Sequence, residues 1–201
     1  QVFSAVISAM SALPELSYLS PVEYLRVERH AETKSDYLNG IVVAMAGATY
    51  RHNIIAGNVF RRIGNAFEKR PCIGFNSDMK VRIEKANVFR YPDVSALCGP
   101  IDFYDGEEDI YTNPQFICEV LSPSTERTDK NEKFAEYRLI DSFKEYLIIE
   151  QKMIKAILHR KGEDKIWTSE SYTDQDDKIE LESIHVSLTL REIYEKIEFE
   201  D

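Results

Sequence analysis

Phe116-Ile117-Cys118-Glu119-Val120-Leu121 runs directly into Ser122-Pro123-Ser124-Thr125, an apolar strand with one acid inside it followed by a polar turn. A second acid stands in similar company upstream, in Tyr91-Pro92-Asp93-Val94. Burying a carboxylate is costly unless a cation or a metal compensates it. If the two strands are neighbours, Asp93 and Glu119 meet at one sheet edge, where their oxygens and the Val120 carbonyl form the donor set of a hard divalent cation. A plainer reading stands beside it, in which Asp93 caps the turn after Pro92 and Glu119 pairs with an arginine on a neighbouring strand.

Downstream of the polar turn, Asp129, Lys133 and Tyr137 recur every four residues and share one helix face. If that face looks back at the acids, Lys133 can steady charge on a phosphate, and Ser122 and Thr125 can contact its oxygens. Otherwise Asp129 and Lys133 form an ordinary helical pair worth about 0.3 kcal/mol.

The surrounding pattern is mixed. Ser20-Pro21-Val22-Glu23 opens a helix that runs to about Glu32. Asn39-Gly40 turns a hairpin into an apolar strand at 41–46. Ile54, Ile55, Val59, Ile63 and Phe67 lie at helical spacing over 52–69. Strands are expected at 73–84, 89–97 and 116–121, a surface loop at 99–113, a helix at 128–140, strands at 145–149, 154–159 and 166–172, and a closing helix at 190–199. The fold class expected is α/β in the mixed α+β sense, a central mixed sheet flanked by helices.

The chain has 201 residues, enough for one domain with a core of its own. Residues 1–19 read as an N-terminal extension, with Met10 as a possible start, and 20–201 as a single domain. No apolar run reaches the roughly 18 residues needed to span a bilayer, so no membrane partner is expected. Cys72, Cys98 and Cys118 lie far apart in strand-like settings and read as reduced thiols, which points to a cytoplasmic location. A net charge of −10 counts against a passive DNA-coating protein. It leaves room for a nuclease, which needs a local acidic cluster for its metal and only a basic strip for the backbone.

Asp36-Tyr37-Leu38-Asn39-Gly40, Met45-Ala46-Gly47, His52, Ser77-Asp78-Met79-Lys80-Val81, Tyr91-Pro92-Asp93-Val94, Glu119 to Thr125, Asp129 and Lys133 together resemble the Uma-type endonucleases of the PD-(D/E)XK, restriction-endonuclease-like superfamily. The resemblance covers about Ser20 to Arg160. It implies a core of one helix, three antiparallel strands, a second helix and a further strand, with Asp93 and Glu119 on the second and third core strands. It also implies an additional acid at Asp36, where the family usually has glutamate, and a role for His52, which as a lone histidine also reads as a capping or packing residue. The superfamily's lysine two residues after the glutamate is replaced here by Leu121. Lys133 is the preferred substitute and Lys80 the second.

The expected activity is hydrolysis of nucleic-acid phosphodiesters, of DNA by family analogy, with Mg2+ or Mn2+ as cofactor. Candidate catalytic residues are Asp93, Glu119, Lys133, Lys80 and His52, and candidate metal ligands are Asp93, Glu119, Val120 and Asp36. Ser122, Thr125, Arg82 and Arg127 are candidate nucleic-acid contacts, with Arg51, Arg61 and Arg62 as further basic positions. Two other readings remain open: a nuclease-fold module that binds nucleic acid or a protein without cutting, and a homodimer with Tyr146 to Ile149 at the subunit contact.

Overall fold

Ser20 opens the first element as its chemistry dictates. Its hydroxyl accepts the Glu23 N–H while the Glu23 carboxylate accepts the Ser20 N–H, and Pro21 takes the first helical position. In the computed structural model, which describes residues 18–122 and 126–199, this begins α1 (Pro21–Glu28). Asn39 and Gly40, both at positive φ, turn β1 (Ser35–Leu38) back into β2 (Ile41–Ala44). Gly40 also lies against the Tyr18 ring, with which a Cβ would collide. α2 (Tyr50–Phe67) starts two residues earlier than its apolar stripe suggests, because the Thr49 hydroxyl caps it by accepting the His52 N–H. Its buried stripe is Ile55, Val59, Ile63 and Phe67.

Two stretches that read as single strands each break in the middle. Residues 73–84 divide into β3 (Cys72–Asn76) and β4 (Lys80–Ile83), and residues 89–97 into β5 (Val88–Arg90) and β6 (Val94–Cys98). Then come β7 (Phe103–Tyr104), β8 (Glu107–Tyr111), β9 (Phe116–Leu121), a π-helical turn over Thr128–Lys133 that leads into α3 (Phe134–Tyr137), and β10 (Glu145–Glu150). β11 (Ala156–Lys161), β12 (Trp167–Tyr172), the hairpin of β13 (Lys178–Leu181) and β14 (Val186–Thr189), and α4 (Leu190–Ile193) complete the chain.

The fold class is mixed α+β, as expected, but the strands divide between two six-stranded sheets and the two-stranded β13-β14 hairpin instead of gathering in one sheet. The first runs β2-β1-β5-β4-β8-β7 and the second β12-β11-β10-β9-β6-β3. The split follows from the broken strands. Pro92 has no N–H to give to a ladder, and the chain leaves the first sheet at Arg90 and joins the second at Val94. Asp93 is therefore carried at the crossing between the sheets.

The second sheet carries the most extensive of three core clusters. β3, β6 and β9 are antiparallel neighbours, and β10 lies parallel to β9 after the helical connection. Alternation along β9 sends Phe116, Cys118 and Val120 into a cluster with the α2 stripe, and Ile117 and Leu121 into a second cluster with Tyr137, Phe143 and the first-sheet residues Val81, Ile83 and Val88. Glu119 shares the latter parity and so faces the helix that follows it.

Five expectations are corrected. The stretch 99–113 contains β7 and β8, with Ile110 and Tyr111 fully buried. Two of its acids, Glu107 and Asp109 on β8, pair with Arg29 and Lys80. Cys72 and Cys98 form a disulfide, because β3 and β6 pair in a register that places them opposite each other; Cys118 alone is a free buried thiol, so the cysteines no longer argue for a reducing compartment. Tyr146 to Ile149 lie buried in β10, an interior strand between β9 and β11, and cannot form a subunit contact. The closing helix ends at Ile193, and β13 and β14 stand where no strand was expected. Among the described residues no helix is long and apolar enough to cross a membrane.

Candidate active site

The sheet crossing at Tyr91-Pro92-Asp93 places Asp93 beside the far end of β9. Its Oδ2 accepts the Val120 N–H at 2.7 Å and lies 3.1 Å from His52 Nε2 in the first turn of α2. The imidazole and the carboxylate are each only about one-eighth exposed. Burial works against a charged His52, but the hydrogen bond and the charge of Asp93 outweigh it and raise the imidazole above its ordinary pKa. The ring's other nitrogen, Nδ1, is buried without a hydrogen-bond partner among the described residues.

Glu119, one residue back, is 2 % exposed. Its Oε1 accepts from Lys133 Nζ and from the Tyr137 hydroxyl, both at 3.1 Å. The π-helical turn over Thr128–Lys133 sets Lys133 and Asp129 together against the strand, with Nζ 2.9 Å from Asp129 Oδ1. That contact is an ion pair by distance but lies off the hydrogen-bonding direction, so Asp129 Oδ1 ends without a hydrogen bond. Such turns are rare and recur at functional sites.

Burial pushes the Glu119 carboxyl up to about 8, and Asp93 and Asp129 add to the rise against the pull of the Lys133 cation. Burial opposes the Lys133 charge, yet Glu119, Asp129 and Asp36 together hold that ammonium protonated well above the ordinary lysine range. The structure thus joins Asp93, Glu119, Val120, His52 and Lys133, and adds Asp129 and Tyr137 to them.

Other candidates fall elsewhere. Asp36 is within electrostatic reach of Lys133, but its Oδ2 accepts from Arg90 at 2.8 Å and its Oδ1 from the Tyr91 N–H. Arg90, itself buried, also grips Glu136 of α3 with two bonds. Lys80 is buried against Asp109 at 2.6 Å, over the Tyr91 ring. Arg82 is buried over the Phe89 ring and bonded to Asn87, leaving no charge presented for a phosphate. Arg127 is exposed on the helix that follows β9, and Ser122 is half-buried at the strand end. Thr125 lies outside the described residues.

Among the described residues no three His, Cys, Asp or Glu side chains form a ready metal cage. The donor chemistry nonetheless suits a hard divalent cation, since carboxylate oxygens predominate. Three buried or nearly buried carboxylates, Asp93, Glu119 and Asp129, face one lysine and one histidine, so acids outnumber the cations in the cluster.

Residues 21–191 match the family described as "Putative restriction endonuclease", Uma2. The chain belongs to the Uma2 family. Two relatives from Synechocystis match most of the chain in sequence. The uncharacterized protein slr1290 is 33 % identical over 181 residues, covering 90 % of this chain and 94 % of its own length. The uncharacterized protein sll1609 is 33 % identical over 172 residues, covering 86 % and 97 % respectively. In structure, the chain resembles "a putative nuclease belonging to DUF820" from Anabaena variabilis, with a TM-score of 0.71 and 16 % identity over 88 % of this chain and 97 % of that one. At that identity the likeness concerns the fold. Uma2 membership gives the chain a nuclease-like role.

Sequence reading missed the partners that fix these groups. Tyr137 was visible as the third member of an i, i+4 series, but its bond to Glu119 needed the packing of α3 on β9. Arg90 and Glu136 left no signal, since a buried arginine reads in sequence like any surface one.

Proposed function

We propose that this Uma2 protein is a metal-dependent endonuclease that hydrolyses phosphodiester bonds of DNA at the cluster of Asp93, Glu119 and Lys133. The observation that carries the reading is the lysine. The superfamily position two residues after Glu119 holds Leu121, and Lys133 reaches the same carboxylate from the following helix, with Nζ 3.1 Å from Oε1.

Asp93, Glu119 and the Val120 carbonyl are the groups that would hold magnesium or manganese. The chemistry such an ion supplies is neutralisation of phosphate charge and acidification of a water. Lys133, kept charged by its acidic neighbours, stands ready to steady negative charge developing on the phosphate. His52, fixed through Nε2 to Asp93, holds that carboxylate in place beside Val120. A second reading, a module that binds nucleic acid without cutting, is favoured by Glu119 Oε1 being already engaged by Lys133 and Tyr137.

The test is cleavage of circular and single-stranded DNA with magnesium or manganese by the intact protein and by folded Asp93→Ala and Glu119→Ala variants. Metal-dependent nicking lost in both variants is expected. No cleavage by any form, with no metal bound in calorimetry, would transfer the assignment to the binding module.

A further inference from the structure

Gln151 directly follows β10 and takes no part in the chemistry above, yet it is 6 % exposed and bonded at both ends of its amide. Its Nε2 donates to the Leu121 carbonyl at 2.6 Å, at the end of the strand that carries Glu119. Its Oε1 accepts from the Thr49 hydroxyl at 2.6 Å, the cap of the helix that carries His52. From there a circuit can be followed. The Thr49 hydroxyl oxygen accepts the His52 N–H at 3.2 Å, His52 Nε2 meets Asp93 Oδ2 at 3.1 Å, and Asp93 Oδ2 accepts the Val120 N–H at 2.7 Å. Val120 is bonded to Leu121, whose carbonyl returns to Gln151.

The ring closes across segments that are distant in sequence, with Thr49 and Gln151 separated by 102 residues. A primary amide supplies N–H donors and a carbonyl acceptor in one fixed plane, and this bridge uses one of the donors and the acceptor. A hydroxyl held by an outside acceptor has one orientation left, so the Thr49 cap is locked and the first turn of α2 is set relative to β9.

We infer that Gln151 is a positioning residue for the nuclease centre: by joining the Thr49 cap of α2 to the Leu121 carbonyl of β9 it sets the His52 imidazole against Asp93. The inference rests on the endonuclease reading for its kinetic consequence. Its structural part, the coupling of residue 151 to the His52–Asp93 contact, can be read on protein that does not cut at all.

The experiment pairs Gln151→Met, which keeps length and removes both bonds, with Thr49→Val, which keeps shape and removes the hydroxyl. In metal-free protein, NMR follows the His52 ring nitrogens and the Val120 amide proton. Each variant is expected to shift both signals, with the double variant shifting them no further than either single one, while Thr49→Ser restores the wild-type spectrum. In the cleavage assay, Gln151→Met is expected to lower kcat by on the order of 10- to 100-fold with KM for DNA little changed, as for a small misplacement of reacting groups. If the wild type does not cut, the endonuclease reading fails while shifted His52 and Val120 signals still uphold the ring. His52 and Val120 signals unmoved by Gln151→Met, or an unchanged kcat beside an active wild type, would overturn the positioning role.

Discussion

Glu119 is a carboxylate whose two protonation states are worth different amounts to the fold. Burial lifts it from 4.5 in the ordinary case to about 8, so the folded state prefers the proton. That contribution is whole below the unfolded pKa and is lost as pH climbs through the folded one. Glu119→Gln mimics the protonated form at every pH. In metal-free buffer the variant is therefore expected to gain stability relative to wild type between about pH 5 and pH 8, read from paired urea unfolding curves. A difference that stays flat across that window would mean that the Lys133 cation already keeps the carboxylate ionised. His52 acts in the same direction. Its raised pKa means stabilisation that is complete below about 6.5 and fades as pH rises through the folded value.

At the scale of elements, the helix that bears Lys133 and Tyr137 is fastened by Arg90. One buried guanidinium holds Asp36 of β1 and Glu136 of α3, so removing it strands two acids. Arg90→Met is expected to cost about 3–5 kcal/mol and to speed amide exchange in α3 more than in β10. Lys130→Ala, which breaks partly exposed pairs with Glu126 and Glu150, should cost no more than about 1 kcal/mol. The contrast shows what could be read from sequence. β9 and its helix were legible because an acid in an apolar run and a four-residue recurrence are local patterns. Asp36 was expected among the metal ligands and is instead held by Arg90, 54 residues away, a pairing that no periodicity announces. The split of the strands at Pro92 was present as a proline, but its consequence, two sheets, depended on partners chosen by tertiary packing. β8 escaped notice because its acids outweighed Ile110 and Tyr111, and only Arg29 at the end of α1 and Lys80 on the neighbouring β4 show why those acids belong on a strand.

For the whole molecule, the Cys72–Cys98 bond closes a 26-residue stretch of chain that contains β4, β5 and the sheet crossing. Loop-closure entropy for that length predicts that the double variant Cys72→Ser/Cys98→Ser loses about 3.5 kcal/mol, measurable as a lower denaturant midpoint with a steeper slope, because the unfolded chain without the cross-link exposes more surface. An equal midpoint in wild type and variant under oxidising conditions would remove the bond from the account of stability. The same bond has a second consequence. β6 is five residues long, and a short strand's usual fault is to slip by one place, which turns every side chain to the wrong face. Here Cys98 is tied covalently to β3 at one end, and Asp93, just before the other end, is tied to the Val120 N–H. No slipped pairing satisfies both ties, so β6 works as a gauge block whose own length sets Asp93 against Glu119 before any substrate arrives.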